Sequence, residues 1–344
     1  MRKDWEYKKW ADVLTIINGK NQKAVESIDG TYPIYGSGGI MGYANDWLCP
    51  ENCTIIGRKG NINKPIFVES KFWNVDTAFG LNSNQNLLAS KYLYYFCLNY
   101  DFNRHNKAVT IPSLTKVDLL KIEMPLPPKP TQLAIVAELD KINELIQLKK
   151  EQLKDYDQLA QSIFYEMFGD PVENEKGWEV EKLKEVCDLK AGKAIKANEL
   201  SNDNPYPCYG GNGIRGYINR CSHVESSPII GRQGAYCGTV NFAEAPFYAT
   251  EHAVVVRAKQ DMQIKWLYYT LVKLKLTRYA KGQAQPGIAV SSLNELVIIP
   301  LPPLPLQQQF AARIEAIERQ KQQVSETIKD LETLLASRMQ YWFD

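Results

Sequence analysis

The sequence predicts an α+β fold: two repeated mixed α/β units separated by an intramolecular antiparallel coiled coil of two long helices. Three observations lead there. A glycine- and tyrosine-rich pattern returns after about 175 residues, short β-branched runs bounded by turn residues fill each copy, and an apolar heptad seam closes each copy. The 344 residues exceed one ordinary core and suit two domains of common size. The expected divisions are a first unit over 1–130, a first long helix over 131–169, a second unit over 170–306 and a second long helix over 307–344.

The repeat comes first, because everything else is read through it. Tyr32-Pro33-Ile34-Tyr35-Gly36 returns as Tyr206-Pro207-Cys208-Tyr209-Gly210, and Ile55-Ile56-Gly57-Arg58-Lys59-Gly60 as Ile229-Ile230-Gly231-Arg232-Gln233-Gly234, both 174 residues on. Asp76-Thr77-Ala78 matches Glu251-His252-Ala253, and Pro125-Leu126-Pro127-Pro128 matches Pro300-Leu301-Pro302-Pro303, now at 175. Within each unit, Cys53 to Gly57, Pro65 to Glu69, Pro228 to Gly231 and Ala253 to Arg257 read as strands between Gly, Pro and Asn turns. Tyr and Leu at helical spacing predict short helices at about 88–99 and 263–275.

The glycines of Gly36 to Gly42 and Gly210 to Gly216 match neither GxGxxG nor GxxxxGK[ST], which sets aside a phosphate loop. They predict tight turns. Two roles stay open: turn geometry alone, or a turn that also presents Ser37, Asn212 or Arg215 to a ligand.

After each proline run comes a strict a/d seam. In the first helix it is Ile135, Leu139, Ile142, Ile146, Lys149, Leu153, Tyr156, Ala160, Ile163 and Met167. In the second it is Phe310, Ile314, Ile317, Lys321, Val324, Ile328, Leu331, Leu335, Arg338 and Trp342. Each helix runs about 36 residues, roughly 54 Å, and so long a seam needs a partner. Because a whole unit intervenes in sequence, the pair is expected to be antiparallel. The prolines at the junctions end a strand and cannot lie in a helix interior. Leu133, Val136, Leu145, Leu148, Leu159, Phe164 and Phe168 widen the apolar face and suggest further protein contacts.

Composition excludes several classes. No apolar run is long enough to cross a bilayer, and Met1-Arg2-Lys3-Asp4-Trp5 lacks the apolar stretch of a secretory leader, so the expected location is the cytoplasm. Seven cysteines without a CxxC pair read as reduced thiols; Cys208, Cys221, His223 and Cys237 lack the paired spacing of a structural zinc site. Three histidines, none in HExxH spacing, and no GxSxG leave hydrolase chemistry without its parts. The net charge of +2 is unevenly spread: 16 basic against 12 acidic residues over 1–130 and 15 against 11 over 177–306, with the remaining 10 against 16 in the segments between and after. The excess positive charge therefore lies in the two units, which permits a basic face toward a polyanion.

The duplicated Tyr-Pro-x-Tyr-Gly and Ile-Ile-Gly-Arg-x-Gly segments, the Pro-Leu-Pro-Pro junctions, and helices ending in Phe164-Tyr165-Glu166-Met167-Phe168-Gly169-Asp170 and Met339-Gln340-Tyr341-Trp342-Phe343-Asp344 resemble the specificity (S) subunit of type I restriction-modification systems. The resemblance covers essentially the whole chain. One departure is that the family's Leu-Pro-Pro-Leu-x-Glu-Gln becomes Pro-Pro-Lys-Pro-Thr-Gln132 and Pro-Pro-Leu-Pro-Leu-Gln307. The resemblance implies a non-catalytic subunit whose two target-recognition domains each read half of a split, asymmetric site in double-stranded DNA. It implies that the paired helices set the spacer and dock two modification (methyltransferase) subunits, with restriction subunits completing an ATP-dependent endonuclease. No cofactor is expected in this chain, since S-adenosylmethionine and ATP belong to those partners. A duplicated coiled-coil scaffold without nucleic acid is the competing expectation.

Base edges are read by Arg, Lys, Gln, Asn and Ser, while lysines and amides on phosphates set position. Arg58 and Lys59 with Arg232 and Gln233 are the leading candidates, because one slot carries different polar groups in the two copies; a shared structural hydrogen bond by the two arginines is the alternative. Arg104, His105, Lys107 and Thr110, with Arg278, Lys281, Gln283 and Gln285, form a second group in loops ahead of the last strand. Lys20 and Lys193, each after a glycine-containing turn, are candidates for phosphates or plain surface.

Overall fold

A computed structural model of the chain describes residues 5–106, 110–282 and 286–344. The chain packs as two compact units, 1–151 with 325–344 and 152–324. Each long helix therefore lends residues to both.

The first unit opens with β1 (Glu6–Lys9), the single-turn α1 (Trp10–Val13) and β2 (Leu14–Asn18). Then come a hairpin of β3 (Tyr32–Gly36) and β4 (Gly39–Ala44), and β5 (Cys53–Gly57), β6 (Ile66–Val68), β7 (Trp73–Asn74) and β8 (Ala78–Ser83). Helix α2 (Ser90–Asn99), the short α3 (Lys116–Leu119) and β9 (Glu123–Leu126) lead into the long α4 (Lys129–Phe168). The strands form a four-stranded antiparallel sheet, β2-β8-β5-β6, a three-stranded sheet, β4-β3-β7, and a two-stranded ribbon, β1-β9. One face of the larger sheet carries Ile16, Ile56, Phe79 and Leu81 and packs on α2 and the start of α4, where Tyr92, Phe96, Ile135 and Leu139 complete the core.

The second unit repeats this order: β10 (Val180–Lys182), α5 (Leu183–Val186), β11 (Cys187–Ala191), β12 (Tyr206–Gly210), β13 (Gly213–Ile218), β14 (Ser227–Gly231), β15 (Val240–Ala243), β16 (Tyr248–Ala249) and β17 (Ala253–Ala258). Helices α6 (Ile264–Lys273) and α7 (Val290–Leu296), β18 (Ile298–Pro300) and the long α8 (Leu304–Phe343) complete it. Its sheets are β11-β17-β14-β15, β13-β12-β16 and β10-β18, the same topology strand for strand. The expected strands and short helices occupy their predicted places. The small sheets, the closing ribbons and the parallel β3-β7 and β12-β16 pairings escaped the sequence reading.

The heptad seam is realised inside each unit. In the first, Ile135, Leu139, Ile142 and Ile146 of α4 are buried, as is Ile328 of α8, while Val324 of α8 is buried in the second. Contacts run in opposite directions along the two helices. Glu138 receives a bidentate ion pair from Arg338 and a hydrogen bond from the Trp342 indole at 3.2 Å, and Lys150 meets Glu332 at 2.8 Å. The polar seam residue Arg338 thus fixes register through a charge pair. In the second unit Phe310 packs edge-on against Phe164 and Phe168 at 5.6 and 5.3 Å, and Lys321 pairs with Asp157. Here the seam shifts: Phe164 and Phe168 are buried while Ile163 and Met167 are only partly so, because α6 presses on the same helix through Trp266 and Tyr269. Val136 likewise packs inward, whereas Leu133, Leu145, Leu148 and Leu159 stay exposed.

The helices begin at Lys129 and Leu304, ahead of the expected 131 and 307, so Pro130 and Pro305 lie in their first turns, where a missing amide costs nothing. Gln132 and Gln307, the residues kept where the family motif departs, are buried. The Gln132 carboxamide oxygen accepts from the Ala89 amide at 2.8 Å at the start of α2, and its nitrogen donates to the carbonyls of Leu87 and Pro127, both at 2.9 Å. Gln307 repeats the clamp on Gln263 at 3.0 Å, ahead of α6, and on Pro302 at 2.8 Å.

Candidate nucleic-acid interface

At one edge of each unit several loops hang on a single connecting segment. In the first unit this is Asn74–Thr77. The Lys20 amide donates to the Asn74 carbonyl at 2.9 Å, the Val75 amide to Tyr35 at 2.9 Å, and the Arg58 amide to Thr77 at 2.8 Å. The second unit repeats all three: Lys193 to Ala249 at 3.1 Å, Thr250 to Tyr209 at 2.9 Å and Arg232 to His252 at 3.1 Å. A fourth stretch joins from beyond α2 or α6. Leu114 donates to the Arg58 carbonyl at 2.9 Å and Gly60 to Pro112 at 3.0 Å, matched by Ile288 to Arg232 and Gly234 to Pro286, both 2.9 Å. The bonds common to both copies are between backbone groups, so the side chains on these loops can differ without loss of the shared frame.

The hairpin turns close the cluster. A Cβ built on Gly231 would lie 2.1 Å from the Gly211 carbonyl oxygen in the β12-β13 turn, so only glycine lets the two loops approach this closely. In the first unit Ser37, the counterpart of Gly211, lies beside Gly60: its hydroxyl is 3.8 Å from where a Gly60 Cβ would stand.

The leading candidates lie on these loops and hairpins. Lys20, Lys59, Lys193, Asn212, Arg215 and Gln233 are exposed, while Ser37, Arg58 and Arg232 are half-buried. Arg58 lies 5.7 Å from the centre of the Phe79 ring. Among the described residues neither guanidinium donates a hydrogen bond to the protein, so the shared structural bond has no counterpart there. Around the second unit's cluster four buried polar atoms lack a hydrogen-bond partner among the described residues: Arg232 Nε, Asn241 Nδ2, Thr250 Oγ1 and Glu251 Oε2. Each such group ordinarily costs about 1–3 kcal/mol, which marks the loop cluster as built for something other than stability. Asn241 stands where the first copy has Ile66. That polar-for-apolar exchange is visible when the copies are aligned and was missed by reading motifs alone.

The second group of candidates is divided. Arg104 and His105 lie on the single turn Phe102–His105, capped by Asp101. Hydrogen bonds from the Asn103 amide and the Asn63 side chain hold the Asp101 carboxyl below the usual carboxylate range. His105 is no exposed loop residue: its ring stacks on Tyr100 at 5.8 Å and Nε2 meets the Tyr100 hydroxyl at 2.7 Å. Arg104 turns toward the same ring and lines a cleft with Asn99, Glu123 and Asp344. Thr110 is exposed. Arg278 donates to the Tyr279 hydroxyl at 2.8 Å, and the Lys281 backbone bonds Gly287 in both directions at 2.9 Å, next to Gln233. Lys107, Gln283 and Gln285 lie outside the described residues.

Among the described residues no group of three or more His, Cys, Asp or Glu is arranged to hold a metal ion. Cys208 packs with Ile218 and Tyr248, while Cys237 belongs to the core around Ile230 and Leu276. No described helix is long and apolar enough to cross a membrane.

Two α+β units of one topology, sharing two long helices and each carrying a polar loop cluster with its own lining, define a class of tandemly duplicated recognition proteins. The sequence profile of the family described as "Type I restriction modification DNA specificity domain" matches residues 2–155 and again 175–333, and the chain belongs to that family as an S subunit with two recognition domains. It is 33% identical to the type I restriction enzyme EcoprrI specificity subunit of Escherichia coli over 313 residues, covering 81% of this chain and 74% of that one. It is 24% identical to the MjaVIII specificity subunit of Methanocaldococcus jannaschii, covering 96% and 92%. The fold matches the S subunit of M. genitalium with a TM-score of 0.65 at 16% identity, covering 100% of this chain and 98% of that one. It also matches a chain solved in work on complex assembly and conformational transition of the type I R-M system, with a TM-score of 0.61 at 18% identity, covering 99% and 97%.

Proposed function

We propose that this DNA sequence-specificity subunit is non-catalytic and reads a bipartite, asymmetric duplex site, each unit taking one half in the major groove through its loop cluster. The single observation that carries the reading is the duplicated backbone scaffold of each cluster, which supports Arg58-Lys59 in one copy and Arg232-Gln233 in the other. Unlike side chains in one slot are what two unlike half-sites require. The two long helices, each 40 residues and about 60 Å at 1.5 Å per residue, set the spacer and dock two methyltransferase subunits. The exposed Leu145, Leu148 and Leu159 of α4 support that docking role. S-adenosylmethionine and ATP belong to the modification and restriction subunits, and the assembly works in the cytoplasm.

The test is methylation mapping of DNA from cells that carry this chain with its methyltransferase. Exchanging residues 1–130 for those of another specificity subunit should change one half of the methylated sequence and keep the other, and lengthening α4 and α8 together by whole heptads should change only the spacer. Binding should weaken steeply with salt, since phosphate contacts release counterions. If changing Arg58 and Arg232 leaves affinity for the matching duplex untouched, the scaffold alternative gains the ground.

A further inference from the structure

Resting on the reading just given, we infer that Met41 and Arg215, one bulged residue on the β3-β4 hairpin and its equivalent on β12-β13, are specificity-determining residues, Arg215 taking the acceptor edge of guanine and Met41 an apolar base edge such as the thymine methyl. In β3-β4, Ile34 pairs with Gly42 and Tyr35 with Ile40, which leaves Met41 as the extra residue of a bulge. The second hairpin repeats the irregularity: Cys208 pairs with Gly216 and Tyr209 with Ile214, leaving Arg215. A bulge re-aims one side chain, and bulges recur beside functional sites.

The re-aimed side chain is laid across the facing strand. A Cβ added to Gly36 would stand 2.6 Å from Met41 Sδ, and one added to Gly210 would stand 2.6 Å from Arg215 Cδ. The two glycines make the bed on which the stem rests, so each head group starts from a set position while remaining in solvent: Met41 is 61% exposed, and Arg215 is exposed too. Ile40 and Ile214, at 55% and 51%, and Tyr43 and Tyr217, at 48% and 37%, share the outward surface in both copies. Those common apolar groups suit contacts that carry no choice. Among the strand positions, the bulged one is where the ribbons exchange an apolar for a charged group. A two-stranded ribbon fits the major groove, where Arg pairs bidentately with guanine O6 and N7 and apolar groups meet the thymine methyl.

The experiment uses the full chain in complex with its methyltransferase, selecting from a pool of randomised duplexes and sequencing those bound. Arg215→Met should lower the preference at a base of one half-site by about 5- to 150-fold, and Met41→Arg should change a base in the other half. Arg215→Lys, which keeps the charge but loses the fork, should give an intermediate preference, and Gly210→Ala should blur the same base as Arg215→Met. If the parent complex selects a bipartite site and both swaps select the identical one, the inference fails while the underlying reading stands. A uniform loss of affinity for every sequence would make the position a phosphate contact and would also overturn it. A parent complex that selects no sequence would remove the reading itself.

Discussion

Gln132 offers the sharpest test of how the first unit is tied to its long helix. The side chain is fully buried and satisfies three backbone groups, the Ala89 amide and the carbonyls of Leu87 and Pro127. Gln132→Met keeps the length and volume but abandons all three. Two of those bonds are buried and the one to Leu87 partly so. At about 1–3 kcal/mol for each buried group left unmet, the expected loss is about 4 kcal/mol. For a unit of this size that lowers its melting temperature by roughly 8–16 °C. Gln307→Met abandons two groups, the Gln263 amide and the Pro302 carbonyl, and should cost about half to two thirds as much. Differential scanning calorimetry of the full chain measures both. A Gln132→Met shift below about 2 °C would show that the clamp is incidental and that apolar packing alone seats α2 on α4.

Glu138 should make stability pH-dependent: the hydrogen bonds and charge of Arg338, with the Trp342 indole, hold its carboxyl below the ordinary value of about 4.3. A depressed folded pKa contributes stability that is complete above the unfolded value and is lost as the pH falls through the folded one, so the melting difference between the parent and Glu138→Gln should vanish on acidification from pH 6 to 3. Gly231→Ala forces a Cβ to within 2.1 Å of the Gly211 carbonyl, and should destabilise the second unit by about 2 kcal/mol or more while blurring only one half of the recognised sequence in methylation maps. Burial pushes the thiols of Cys53 and Cys187 up to about 12, and Cys49 and Cys97 are raised in the same direction. A maleimide or iodoacetamide time course on the native chain, read by peptide mass spectrometry, should therefore label the half-buried Cys221 first.

The duplication, the strands at Cys53 to Gly57 and Ala253 to Arg257, the helices α2 and α6 and the antiparallel seam were all legible because each is a periodic or repeated signal. What escaped depends on neighbours that sequence order conceals. Trp73-Asn74 and Tyr248-Ala249 are strands of only two residues, paired in parallel with β3 and β12, and carry no alternation to detect. The seam reading failed at Phe164 and Phe168 because a heptad rule presumes one partner, and α6 supplies a second surface. In the interface, the slot after Ile-Ile-Gly could be picked out from its unlike residues, whereas Met41 could not. Its importance comes from a bulge, and a bulge is set by the pairing of Ile34 with Gly42 and Tyr35 with Ile40 rather than by any residue type.

The two clusters also show how one scaffold accommodates two different linings. The bonds that recur in both copies around Asn74–Thr77 and Ala249–His252 join backbone to backbone, and that shared geometry survives although Thr77 has become His252, Ile66 has become Asn241 and Lys59 has become Gln233. Side chains in such a frame can change without moving it, which is the condition for altering what a loop reads at little structural cost. The second copy has gone further along that path. Arg232, Asn241 and Glu251 hold buried polar atoms with unmet hydrogen-bonding capacity, while in the first copy the corresponding ground is held by Arg58 over the Phe79 ring, the apolar Ile66 and the exposed Asp76. The first unit's cluster thus leans on apolar contact and the second's on directed polar groups. If each unit reads one half of a bipartite site as proposed, a cluster of the second kind rejects a wrong base more strongly, because a mismatch leaves its polar groups unpaired, and discrimination should be steeper in the half-site assigned to residues 170–306 than in that assigned to residues 1–130.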